Sequence, residues 1–490
     1  MFNWFNKKAA PQVADQVQTK KRGSWKRLHE KTVAMISNAP KNGQEIAPYT
    51  PAPGVIPKEE QDAAMAMDSI PYEYVNAGVG VNHLFMGYPY LATLAQKPEY
   101  RIMVSTLAEE MTRKWIKIES TSKGDVTERI DKINKAMERY KVKEAFRQMI
   151  EHDLYFGRGQ IYIELKGQGG GYVSDDKDEL ETLLTISPAK IGKGSLVTFR
   201  NVEPIWMYPK EYNSSNPLRS DYYDPKTWYV MGKTVHSSRM LMVISNPVPD
   251  IYKPSYSFGG ISLVQMAEDY VNNWISARDS IKDMIKSFSI SGIKTNMATI
   301  LNGEEDDDIL KRLELFNLFR DNRGVFALDK GEEEFFQFNT PLSGLEGLQA
   351  QAKENMSLIS GIPLVKLLGI TPSGLNASSD GEIRVFYDGI AAKQEANLRD
   401  NIKKVIDIIQ LSEFGDIDES ITFSFEPLFQ LSELEHAQVR NMDADTDCKY
   451  ADSQILLDAE VREKIKSDPR NPYQSLDPSV ITDEEKDPDA

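Results

Sequence analysis

GIPLVKLLGITPSGLNASSDGEIRVFYDGI, residues 361–390, holds three kinds of sequence in thirty positions. An apolar turn, Gly361–Leu368, comes first. A stretch rich in Gly, Ser, Asn and Asp follows, and a polar helical pattern begins near Gly381. A loop of this composition can cradle a phosphate, carry a catalytic residue or line a passage. Its surroundings have to decide between these.

Immediately upstream, Leu345, Leu348, Ala352, Met356 and Ile359 recur at helical spacing and predict a helix over Leu342–Ser360. Further upstream, Leu263, Ala267, Tyr270, Val271, Trp274, Ala277, Ile281, Met284, Ile285 and Phe288 form one stripe over Ser262–Phe288, a helix of roughly 40 Å. Between the two helices lies a small module. It reads as a β-run near Ser291–Lys294, a helix Asp306–Arg320 behind an acidic start, and a hairpin of Arg323–Leu328 with Glu333–Phe338. Downstream, the pattern gives a long polar helix Gly381–Leu411, a strand in ITFSFEPL and a helical region Ser432–Lys466.

The first half is α+β. Helical patterns cover Tyr88–Ala95, Arg101–Thr112 and Val126–Tyr140, the last continuing into Lys143–His152. Strands are expected at Trp115–Glu119 and Gln160–Leu165, and short strands and turns fill 167–249. Residues 1–66 are rich in Pro, Gln, Lys and Ala and read as a flexible arm with little core of its own. A large α+β body is thus interrupted by helix, module, helix.

The 490 residues carry a net charge of −16, which argues against a protein built to grip nucleic acid through many Lys–phosphate contacts. A conduit through which DNA passes is not excluded, because it must hold its cargo weakly. No run of about 20 apolar residues and no secretory h-region is present, and the one cysteine, Cys448, forms no internal disulfide. A reducing compartment is expected.

Local chemical motifs fail on inspection. MGKTV at 231–235 lacks the Gly of a phosphate-binding loop, Thr227 standing at that position, so a β-turn is the better reading. Asp443, Asp445 and Asp447 resemble the start of a calcium loop, but Cys448 and Gln454 occupy the Gly and Glu positions. A solvated acidic helix face fits better. The five histidines have no metal-ligand spacing, and His152-Asp153 point in different directions on a helix. GQGGG at 167–171 reads as a strand connection.

The order of elements resembles the portal proteins of tailed bacteriophages from about Tyr72 to about Lys466. HSSRM at 236–240 is similar to a His-x-Ser-Arg segment of that family, and 361–394 to its Gly-Ile-Pro … Leu-Gly … Gly-Leu-Asn-Ala … Tyr-Asp block. The resemblance implies a fold class, α+β with an α/β wing, a two-helix stem, a small αβ clip, a long tunnel helix and a helical crown. The implied divisions are arm 1–66, wing 67–260, stem helices 261–288 and 342–360, clip 289–341, tunnel loop 361–380, long helix and return strand 381–431, crown 432–466 and an acidic flexible tail 467–490. The implied job is a ring, usually of twelve, at one capsid vertex, through which DNA is packaged and ejected.

The residues then expected to face DNA are Lys366, Ser373, Asn376, Ser378 and Ser379. Partner docking falls to Glu304, Asp306, Asp307, Arg320 and Arg323, and stem packing to Tyr270, Trp274, Ile281, Leu348 and Met356. Implied partners are other copies of the chain, major capsid protein and scaffold, large terminase, head-completion and tail proteins, and passing double-stranded DNA, with no membrane. No catalytic residue, metal or cofactor is implied, and the expected location is the virion after assembly in the host cytoplasm. Two alternatives stay open: a phage phosphodiester hydrolase using Asp380 or Glu382, and a different tail or baseplate ring.

Overall fold

The structure is a computed structural model that describes residues 53–56, 85–121, 126–167, 170–286, 289–294, 334–339, 345–369, 380–429, 433–453 and 455–467. The chain divides into two units, Met1–Glu426 and Pro427–Ala490. The first opens with α1 (Tyr88–Leu94) and α2 (Pro98–Arg113), each with Pro in its first turn, where the missing N–H costs nothing. Strand β1 (Ile116–Ser120) leads into α3 (Thr127–Arg139) and α4 (Val142–Phe156). These two helices are separate because Lys141 takes a left-handed backbone, φ 50°, and breaks the continuous helix that the pattern suggested.

Helix α4 ends at Gly157 and the chain enters β2 (Gly159–Leu165), the buried centre of a three-stranded sheet. Gly157 is required twice over. Its φ is +84°, and a Cβ there would overlap the carbonyl oxygen of Gly260, which itself donates N–H to Gly157 O at 2.7 Å. After the short α5 (Lys177–Glu181) come β3 (Leu196–Val202), β4 (Met207–Glu211), β5 (Thr227–Val230), β6 (Lys233–His236) and β7 (Met240–Val243). All pairing is antiparallel, in two sheets ordered β3-β2-β7 and β4-β5-β6. Met231-Gly232 is the hairpin turn between β5 and β6, with both φ positive, so MGKTV is a β-turn.

A buried arginine joins the two sheets. Arg158 donates Nε–H to Gln160 Oε1 (2.9 Å) and an Nη to the carbonyl of Ser257 (2.7 Å), and its guanidinium lies 4.4 Å from the Trp228 ring centroid. A desolvated cation–π contact of this kind is worth about 2 kcal/mol.

Helix α6 (Leu263–Lys286), β8 (Ser289–Lys294), β9 (Glu334–Asn339) and α7 (Leu345–Ser360) form a helix–strand–strand–helix arm in which α6 packs on α7. The expected hairpin partner of the second strand, Arg323–Leu328, lies outside the described residues. Strand β9 pairs with β8, with Ser289 opposite Asn339 and Lys294 opposite Glu334. The reason is geometric: paired helices bring the strand leaving one beside the strand entering the other.

A short α8 (Leu364–Leu368) precedes α9 (Asp380–Glu413), whose 34 residues run roughly 50 Å. Its second half is far from polar: Leu398, Ile402, Val405, Ile406, Ile408, Ile409 and Leu411 are all buried. Strand β10 (Ile421–Phe425) then closes an antiparallel pair with β1, across some 300 residues. The second unit holds α10 (Glu433–Asp452) and α11 (Asp458–Ser467), two helices where one region was expected. Asp443 and Asp445 are exposed on α10, and Asp447 pairs with Lys464 at 2.5 Å.

The N-terminal arm also departs from expectation. Val55 and Ile56 are buried against Tyr208 and Tyr229, so part of the arm does contribute core. No helix among the described residues is long and apolar enough to cross a membrane.

Candidate functional site

The loop that opened the sequence reading is described up to Gly369 and again from Asp380. Ser373, Asn376, Ser378 and Ser379 lie outside the described residues, as do Glu304, Asp306, Asp307, Arg320 and Arg323 of the module. The structure describes the chain on either side of that segment.

On its N-terminal side is a turn. Gly361 caps α7 with φ +66° and donates N–H to Ser357 O at 2.8 Å. Ile362 and Pro363 are buried, Ser357 Oγ donates to Ile362 O, and Gly369 (φ +67°) ends α8 in the same left-handed way. Lys366 is held by Glu110 of α2, Nζ to Oε1 2.6 Å, and its ammonium lies 5.3 Å from the Tyr387 ring of α9. Burial lowers the Lys366 pKa, but the hydrogen bonds to Glu110 and Tyr387 more than compensate, and the net direction is up. Glu110 is nearly buried and also accepts from Arg113 Nε at 2.9 Å.

Farther along α9 lies an amide stripe. Gln394 Nε2 donates to Met111 O (2.8 Å), Asn397 Nδ2 to Ser245 Oγ (3.1 Å) and Asn401 Nδ2 to Met242 O (2.9 Å). Spacings of three and four put all three on one face, so the helix is registered against the end of α2 and against β7. The sequence reading missed this stripe, Glu110 and Tyr387. The 394/397/401 spacing was its only visible signal.

Between α7, the Gly361–Pro363 turn and the first turns of α9 lies a cavity of about 770 Å³. Its walls include Leu107, Ile362, Phe386 and Ile390, while Leu358 and Val385 on its rim are 74% and 72% exposed. Of the expected stem residues, Met356 is buried, Tyr270, Trp274 and Ile281 are half-buried on α6, and Leu348 lies in α7.

The pair His152-Asp153 is buried on α4. Burial pulls His152 down to about 4 and pushes Asp153 up to about 6, against the hydrogen bonds from Ser245 and the charge of Lys393. Ser245 N–H donates to both Asp153 oxygens, 3.2 and 3.3 Å, which ties α4 to the chain after β7. Among the described residues no group of three or more His, Cys, Asp or Glu side chains is placed to hold a metal ion.

A family model described as phage portal protein matches residues 88–449. Two curated relatives are both named Anti-CBASS protein Acb1. The one from Sphingomonas paeninsulae is 26% identical over 374 residues, which is 73% of this chain and 56% of the relative. The one from Caulobacter sp. (strain RHG1) is 25% identical over 372 residues, 72% of this chain and 55% of the relative. The chain thus spans about half the length of the curated relatives it matches.

Among solved structures, a chain from the neck of an empty GTA particle aligns with TM-score 0.46 at 15% identity, covering 82% of this chain and 98% of that one. An HK97-family phage portal protein from Corynebacterium diphtheriae aligns with TM-score 0.36 at 11% identity, covering 71% and 97%. Mixed helix and sheet, the helix–strand–strand–helix arm and the long helix α9 all lie within the stretch that the family model spans, and the chain belongs to the phage portal protein family.

Proposed function

We propose that this chain is the subunit of a ring at one capsid vertex, that DNA enters and leaves through the ring, and that residues 370–379 face the channel. The observation that carries the reading is the anchoring of the chain around that segment, taken with the family match over 88–449. The chain just before the segment is anchored by the Lys366–Glu110 pair, and the helix that follows it is anchored farther along, from Gln394 onward, by the amide stripe of α9. A loop fixed at its base and made of short uncharged side chains can offer hydrogen bonds to a moving phosphate backbone without gripping it.

In this reading α6 and α7 are the stem and the strands β8 and β9 belong to the clip, where terminase and later head-completion and tail proteins dock. Glu304, Asp306, Asp307, Arg320 and Arg323 are the docking candidates there. The half-exposed face of α6 and the apolar rim residues Leu358 and Val385 meet neighbouring copies, which a closed ring of about twelve supplies through a heterologous interface. Capsid protein and scaffold surround the ring, in the virion. The anti-CBASS name belongs to the curated relatives, which are nearly twice as long as the matched region.

The test is electron microscopy of the purified protein with native mass spectrometry. Rings with a central hole are expected. A protein that stays monomeric even with scaffold and capsid protein present overturns the reading.

A further inference from the structure

Four residues of the N-terminal arm, 53–56, sit on the body of the protein. Val55 is fully buried and Ile56 is 3% exposed, and both pack on Tyr208 and Tyr229. These tyrosines are directly paired across β4 and β5. The other face of the same strands carries Trp228, which is already covered by Arg158. The sheet therefore has two apolar faces. The body covers one, and Val55 with Ile56 covers the tyrosine pair on the other.

The contact has a defined geometry. Gly232, in the β5–β6 turn, donates its N–H to Val55 O at 2.9 Å. Gly54 turns the arm with φ +85°, a conformation that a side chain resists. Pro51, Pro53 and Pro57 flank the segment and restrict its unbound conformations, which lowers the entropy lost on docking.

We propose that the Tyr208–Tyr229 surface is a docking slot for the Pro53–Ile56 segment of the same chain, and that this contact is the tether of the arm. The tether sets the reach of the basic stretch Lys7–Lys31, whose near end, Lys31, lies 24 residues before Val55 and so at most roughly 80 Å from it. The slot reads a Val-Ile pair behind a Pro-Gly turn, so a free peptide of that sequence is its probe. The inference does not depend on ring formation, and its failure leaves the portal reading intact.

The experiment uses the full chain and a fluorescent peptide of residues 48–60, PYTPAPGVIPKEE. In the wild type the tethered segment competes at an effective concentration of about millimolar, so the peptide binds weakly. The V55D/I56D chain has an empty slot and is expected to bind the peptide at least about tenfold tighter than wild type. A peptide carrying both Asp substitutions is expected to bind neither chain. V55A/I56A serves if the Asp variant does not fold. A folded variant that does not bind the peptide, or variant and wild type binding it equally, overturns the proposal. A drop in oligomer mass caused by V55D/I56D also overturns it, since the segment would then come from another copy.

Discussion

Lys366 and Glu110 form an ion pair across 256 positions of sequence, Nζ to Oε1 2.6 Å, just before the segment 370–379 that is proposed to face the channel. If segment 370–379 faces a DNA channel as proposed, the pair keeps the DNA from being held by this cation. Its charge is spent on α2, and Tyr387 covers it from α9.

Removing one partner leaves the other poorly solvated. Lys366 is 29% exposed and Glu110 10%, so the pair is worth more than a surface bridge and less than a dry one. K366M and E110Q are each expected to lower stability by about 1–2 kcal/mol in chemical denaturation. The double variant should cost less than the sum. Additive losses in a double-mutant cycle would mean the two side chains do not interact.

The adjacent buried groups His152 and Asp153 are expected to oppose each other in acid. Asp153 titrates near 6 in the folded chain against an ordinary 3.8, so folding takes up its proton and this group adds stability as pH falls through that window. His152 titrates near 4 against an ordinary 6.5, so its neutral form is favoured and stability is lost as pH falls through the same range. Each effect is on the order of 2–3 kcal/mol. Denaturation midpoints between pH 4 and 7 should fall more steeply for D153N than for wild type, and less steeply for H152Q. Parallel curves for all three proteins would contradict the assignment.

The amide stripe should matter through the carbonyls it satisfies. N401L leaves Met242 O without its side-chain donor, and Q394L does the same to Met111 O. Each is expected to cost about 1–3 kcal/mol. Hydrogen exchange should rise in β7 for N401L and at the end of α2 for Q394L. Uniform changes across the protein would argue against a local clamp.

Neither Gly157 nor Gly260 tolerates a methyl group: a Cβ on Gly157 would overlap the carbonyl oxygen of Gly260, and one on Gly260 would overlap the carbonyl oxygen of Asn246. G157A and G260A are expected to destabilise by about 2–4 kcal/mol, more than alanine at Gly171, where nothing lies within reach. Thermal melts of the three variants would check the order.

A charge added to the channel segment should slow DNA without disturbing assembly. N376K and S379K are expected to leave ring formation unchanged and to reduce the length of DNA packaged in vitro, more at low salt than at high. Unaltered packaging by both would remove these residues from the channel surface.

Periodicity alone was enough for most of the elements. Stripes at three and four residues located α6 and α7, helical and polar patterns located α2 and α9, and short β-branched and aromatic runs located β1, β2 and β10, because a single chain must bury one face of each element. The ordered series of motifs in 361–394 carried the family resemblance for the same reason: local turn chemistry is written in adjacent residues. What the sequence could not decide was partnership. That β9 pairs with β8, that β1 meets β10, that Lys366 finds Glu110 and that Val55 and Ile56 seat on Tyr208 and Tyr229 are all contacts between residues far apart in the chain. Such contacts follow from which surfaces remain uncovered once the elements pack, and no local pattern encodes that.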